Sequence, residues 1–143
     1  MACFNLSSFN LHGLNHGHLL LENMCNDLKL DVIMIQEHWL SPDSLYKLCE
    51  LSCNYVMIGI SAMSSAVSNS VLVGRPFGGC AILVKDCYKQ RLITHKTGKR
   101  FVIISIGRIA VVNLYLPNYR SVDDLGLIND LFSEVLLSLE NIS

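Results

Sequence analysis

The stretch Asp31-Val32-Ile33-Met34-Ile35-Gln36-Glu37 decides the fold. Four apolar residues run without alternation and three of them are β-branched, the pattern of a strand covered on both faces. Upstream, Leu20, Leu21, Met24, Cys25 and Leu28 recur at helical spacing and predict a helix over 18–28. Before that, residues 3–10 read as a short strand ending in polar side chains and turning at His12-Gly13. A strand, a helix and a strand at this spacing form a βαβ unit, and therefore a parallel pair with a helix on one face.

Downstream, Ser41-Pro42-Asp43 opens a second helix that reaches about 51, because serine caps free amides and proline is pre-shaped for a first turn. Residues 54–60 read as a strand and the serine-rich stretch 61–69 as a loop. Gly78-Gly79 leads into the apolar run Cys80-Ala81-Ile82-Leu83-Val84. Strands are predicted over 90–95, 100–106 and 108–116, broken by Thr97-Gly98 and Gly107, whose glycines suit tight hairpins. Beyond Pro117, Ser121 caps a last helix with Asp123 and Asp124 in its first turn, where negative charge meets the positive end of the helix dipole. Its apolar stripe is Leu125, Ile128, Phe132, Val135, Leu136 and Leu139.

With 143 residues, 51% of them hydrophobic, and a net charge of -1, the chain is one domain or part of one, and disorder is excluded. Mean hydropathy is +0.40, yet no apolar run approaches the roughly 18 residues of a membrane span. The start, Met1-Ala2-Cys3-Phe4-Asn5, has no secretory pattern, so an intracellular address, cytoplasmic or nuclear, is expected. The six cysteines then read as reduced, buried thiols. Charge is unevenly spread: from Arg75 to Arg120 lie nine of the 11 basic residues against one acid, Asp86, a net of +8. Such a segment suits a phosphate-facing surface, and equally the solvated outside of strands and turns.

Two side chains stand where open α/β sheets place their sites. Asn10 and Glu37 follow neighbouring strands at their carboxyl ends. A carboxylate beside an amide oxygen suits a hard cation such as magnesium, which takes oxygen ligands and keeps several waters. His12, His16 and His18 have no fourth ligand at a usual zinc spacing.

Four motifs in series carry a resemblance. Asn10-Leu11-His12-Gly13-Leu14, then 31–40 ending Gln36-Glu37-His38-Trp39-Leu40, then Gly74-Arg75-Pro76-Phe77-Gly78-Gly79 with the run to Val84, then Val112-Asn113-Leu114-Tyr115-Leu116-Pro117-Asn118 resemble the endonuclease/exonuclease/phosphatase superfamily. The match is closest to the endonuclease domains of non-LTR retrotransposons. The resemblance implies that Glu37 holds a magnesium ion (manganese as a substitute), that Asn10 shares that site and orients the phosphate, and that the Tyr115 hydroxyl lies near the scissile phosphate. It also implies that Asn118 touches the nucleic-acid backbone. Arg75 is a phosphate-contact candidate, and Trp39 reads as packing. Many relatives carry an acid where this chain has His12.

The family draws its general base and further donors from a Gly-Asp-x-Asn and a Ser-Asp-His motif, and neither occurs in these 143 residues. The implied fold is therefore α/β, the amino-terminal half of a four-layer sandwich, over residues 1–143 with the second half missing. A single sheet with flanking helices is expected, its uncovered apolar face driving self-association. The implied function is a magnesium-dependent DNA endonuclease, truncated and inactive alone. The rivals are a non-catalytic remnant that binds nucleic acid or a protein partner, and an inositol-phosphate phosphatase or sphingomyelinase-like member.

Overall fold

The structure, a computed structural model, describes residues 3–63, 67, 68, 71, 72, 77–118 and 120–142. Strand β1 (Leu6–Asn10) is followed by helix α1 (Leu14–Asp27) and by β2 (Val32–Gln36). β1 and β2 pair in parallel from Leu6 opposite Val32 to Asn10 opposite Gln36, the predicted βαβ unit. α1 starts four residues earlier than the apolar spacing predicts, at Leu14, and includes the buried Gly17. A Cβ at Gly17 would collide with the Leu11 side chain, so the glycine is what lets the helix lie close to the strand it follows.

The expected second helix is reduced to a 3-10 turn at Pro42–Ser44 and a four-residue α2 (Lys47–Glu50). β3 (Tyr55–Ile60) follows, then the short pair β4 (Val67–Ser68) and β5 (Val71–Leu72), part of which falls where a loop is expected. β6 (Cys80–Lys85) lies between β2 and β3 and is antiparallel to both, giving a mixed sheet in the order β1-β2-β6-β3. After a 3-10 segment (Asp86–Arg91), β7 (Leu92–Gly98), β8 (Phe101–Ile106) and β9 (Ile109–Leu114) form a second, antiparallel sheet. Gly107, at φ 60, turns the β8–β9 hairpin. Helix α3 (Val122–Glu140) opens on Ser121, which exchanges hydrogen bonds with Asp124 in a capping box.

The expectation of one sheet with a bare apolar face is corrected here. Side chains alternate across β2 and β8, and each strand serves two cores. Val32, Ile82 and Val84 of the first sheet pack on Val102, Ile104 and Ile106 of the second, so the two inner faces cover each other. Ile33, Ile35 and Leu83 point the other way, onto Leu21, Met24 and Cys25 of α1. Phe101 and Ile103 point outward onto Val135, with Leu131 and Leu139 of α3 beside them. The layers therefore run helix, sheet, sheet, helix, which is why every residue of β8 is buried. Self-association through an exposed sheet face loses its basis.

The stripe predicted on α3 is also corrected. Val135 and Leu139 are seated as predicted, but Leu125, Phe132 and Leu136 are exposed, and Leu131, outside the predicted stripe, packs beside the first two. All six cysteines are free, as expected; Cys25 and Cys80 are buried, whereas Cys3, Cys49, Cys53 and Cys87 are exposed, against the expectation of buried thiols. Among the described residues no helix is long and apolar enough to cross a membrane.

Candidate active site

Glu37 leaves β2 with φ 55, in the left-handed region, and Trp39 repeats that conformation. Non-glycine residues stay there only where their surroundings over-determine them. The surroundings here are backbone hydrogen bonds on both sides. Leu11 N donates to Gln36 O (2.8 Å), Gly13 N to Glu37 O (2.7 Å) and Leu14 N to His38 O (3.0 Å). From the other side, Glu37 N donates to Gly79 O (2.8 Å) and Trp39 N to Gly78 O (3.0 Å).

His38 locks the segment from beneath. Its fully buried ring accepts the Leu40 N–H at Nδ1 and donates from Nε2 to Ile60 O, each at 3.0 Å, so both nitrogens are used by the neutral form. Burial pushes its pKa down to about 4. Gly79, at φ 92, lies against the ring, and a Cβ there would collide with it.

Tyr115 comes from the second sheet, just past β9. Asn113, two residues before it and 1% exposed, donates from Nδ2 to Ile35 O and Ala81 O, both 2.8 Å away in the first sheet. Its Oδ1 accepts from Gln36 Nε2 at 2.6 Å, and Gln36 also donates to Ser8 Oγ at 3.0 Å. This buried network fixes the end of β9 over the end of β2, and the Tyr115 hydroxyl then donates to Glu37 Oε1. Burial, with the Glu37 carboxylate next in weight, pushes the Tyr115 pKa up to about 12, so the phenol keeps its proton at neutral pH. The Arg100 guanidinium lies 5.4 Å from the centre of the Tyr115 ring.

These groups line a cleft of about 600 Å³. Glu37 and Tyr115 stand in its wall with Trp39 and Phe77, and Lys99, Arg100, Arg120 and one further carboxylate, Asp124, line the same cleft. Three cations in one cleft attract an anion such as phosphate. The carboxylate Oε2 of Glu37 lies 3.5 Å from His12 Nδ1. Among the described residues no group of three or more His, Cys, Asp or Glu side chains gathers. The donor set at Glu37 is thus one carboxylate with one or two neighbours, which fits an ion such as magnesium that retains most of its waters.

Of the residues singled out from sequence, Glu37 and Tyr115 are brought into contact and Asn118 lines the same cleft. Asn10 ends β1 beside Gln36, and its Oδ1 accepts the His12 N–H at 3.0 Å, one residue removed from the cleft wall. Arg75 lies outside the described residues. Trp39 packs as expected, over Gly13, with its ring 4.6 Å from that of His12. Arg100 and Lys99 emerge as cleft residues; the signal was their place in the basic segment. Lys96, from the same segment, is turned to Glu134 of α3 at 2.8 Å.

No protein-family model matches the chain, and no curated protein does. Solved structures do. A 3′ phosphatase from Neisseria bound to product DNA hairpin is similar over 96% of this chain and 51% of its own, with a TM-score of 0.69 at 14% identity. An AP endonuclease from Archaeoglobus fulgidus is similar over 99% and 52%, with a TM-score of 0.66 at 15% identity. An AP endonuclease from Leishmania major gives 86% and 43%, with a TM-score of 0.61 at 15% identity. The chain thus has part of the fold shared by these exonuclease, AP endonuclease and 3′ phosphatase structures, and it spans about half their length.

Proposed function

We propose that this chain carries the metal-binding and phosphate-binding half of a DNA phosphodiesterase site, of the retrotransposon endonuclease type. The observation that supports it most is the meeting of Glu37 and Tyr115, from different sheets, at the end of β2 in a cleft that Lys99, Arg100 and Arg120 also line. In this reading Glu37 holds magnesium, or manganese in its place, with Asn10 completing and orienting that corner of the site. When bound, the ion neutralises charge on the phosphoryl oxygens and on the leaving group.

The chain's own groups do the rest of the binding. Arg100 and Lys99 attract the phosphate, and Asn118 and Arg75 hold the flanking backbone. Tyr115, protonated at neutral pH, keeps one Glu37 oxygen fixed by its hydrogen bond and leaves the other free. The general base comes from a second half of the domain, through the Gly-Asp-x-Asn and Ser-Asp-His motifs that this sequence does not contain. In a second reading the chain is a non-catalytic remnant that binds DNA without cutting it.

Both readings require DNA to bind through phosphate contacts. Anisotropy of a fluorescent DNA duplex, titrated with the chain at several salt concentrations, tests this. Affinity is expected to fall steeply with salt, and Lys99→Ala with Arg100→Ala to flatten the slope by about 2, one contact each. An absence of binding, or a slope indifferent to both substitutions, would overturn the assignment of the cleft.

A further inference from the structure

The side chain facing the free oxygen of Glu37 is a histidine. Oε1 takes the Tyr115 hydroxyl, and Oε2 lies 3.5 Å from His12 Nδ1. Two donors bound to one ion at about 2.1 Å stand roughly 3.0 Å apart at right angles and roughly 3.4 Å apart at the tetrahedral angle. The observed separation is close to that of two ligands sharing a cation.

The backbone points the same way. His12, at φ 50, and Glu37, at φ 55, both hold the left-handed conformation without being glycine. They are tied together: the His12 N–H is held by Asn10 Oδ1, and the next amide, Gly13 N, donates to Glu37 O at 2.7 Å. The His12 ring is steadied by Trp39, 4.6 Å away between centres. An ordinary surface ion pair requires none of this, and with the His12 side chain 75% exposed such a pair returns little. Strain shared by two facing donor residues is instead what a preorganised ligand pair shows.

We infer that His12 Nδ1 joins Glu37 Oε2 in binding the divalent cation of this site, and that its nitrogen shifts the preference from magnesium toward cobalt, nickel or zinc. Imidazole favours those ions, whereas carboxylate and water suit magnesium. The inference rests on the reading of Glu37 as the metal-holding carboxylate. It also changes the part played by Asn10, whose amide oxygen then positions His12 through the backbone.

The test uses the full chain and the metals alone. Calorimetric titration with Co2+ and with Mg2+ is run on the wild type and on His12→Ala, His16→Ala and Glu37→Gln, with circular dichroism to confirm folding. Pulsed electron paramagnetic resonance of bound Mn2+ then reads directly whether an imidazole nitrogen is coordinated. His12→Ala is expected to weaken Co2+ by about tenfold or more, to leave Mg2+ within a few-fold and to abolish the nitrogen signal. His16→Ala, whose ring lies 6.3 Å from that of His12, changes neither. If Glu37→Gln abolishes binding while His12→Ala alters neither affinity nor signal, the His12 inference fails and the Glu37 reading stands. Loss of the nitrogen signal in His16→Ala also overturns it. A wild type that binds neither Co2+ nor Mn2+ overturns the Glu37 reading, and His12 with it.

Discussion

Replacing Asn113 should disturb fold and site together, because its amide is the buried joint between the two sheets beside Tyr115. Asn113→Ala removes two donated bonds, to Ile35 O and Ala81 O, and one accepted from Gln36. At about 1 kcal/mol net for each bond, with the side chain 1% exposed so that water does not replace them, the loss is about 3 kcal/mol. Gln36 keeps Ser8 as a partner, which limits the damage on that side. Asn113→Asp should cost more at pH 8, since a carboxylate cannot donate and would face two carbonyl oxygens in a buried place. Urea unfolding followed by the fluorescence of Trp39, the chain's one tryptophan, gives both numbers. A loss below about 1 kcal/mol for Ala, or an Asp variant as stable as the Ala variant, would refute the reasoning.

Three further outcomes are expected. Gly79→Ala should cost about 2–4 kcal/mol in the same urea assay, since it sets a Cβ against the His38 ring at a residue with φ 92. Because burial holds the His38 pKa at about 4, the unfolded chain binds a proton between pH 6.5 and 4 that the folded chain refuses. Stability should therefore fall by up to about 3 kcal/mol as pH drops through that window, and His38→Gln should flatten the fall. Incubated with magnesium and supercoiled plasmid, the chain should nick no more than its Glu37→Gln variant, a positioned base being worth about 10²–10⁴ in rate; nicking by the wild type alone would show that the base lies within these residues.

The order of strands and helices was largely legible, and the layering was not. The unbroken run of β2 and the glycines before β6 and after β8 mark elements by local chemistry alone. That Phe101–Ile106 lies at the centre of a second sheet rather than widening the first depends on which strands pair, and an apolar run reads the same in either place. α3 shows the same limit, because its apolar residues cover more than one face and periodicity does not say which face meets Phe101 and Ile103. The apolar spacing misses the first turn of α1, where Gly17, a poor helix former, makes a close contact with Leu11 that the sequence does not display. At the site, Glu37 and Tyr115 came from motif resemblance. Their contact spans 78 residues and depends on Asn113, a residue whose polar role inside an apolar strand becomes visible only in three dimensions.

If Glu37 couples a divalent cation to a DNA phosphate, the coupling is measurable as a ratio. The dissociation constant of a fluorescent DNA duplex is determined with Mg2+ and, at matched ionic strength, with EDTA, for the wild type and Glu37→Gln. In EDTA the wild-type carboxylate repels phosphate, so the variant should bind DNA as tightly or more tightly. Added Mg2+ should strengthen wild-type binding severalfold and leave the variant unchanged. An equal response of both proteins to Mg2+, or none in the wild type, would contradict the account.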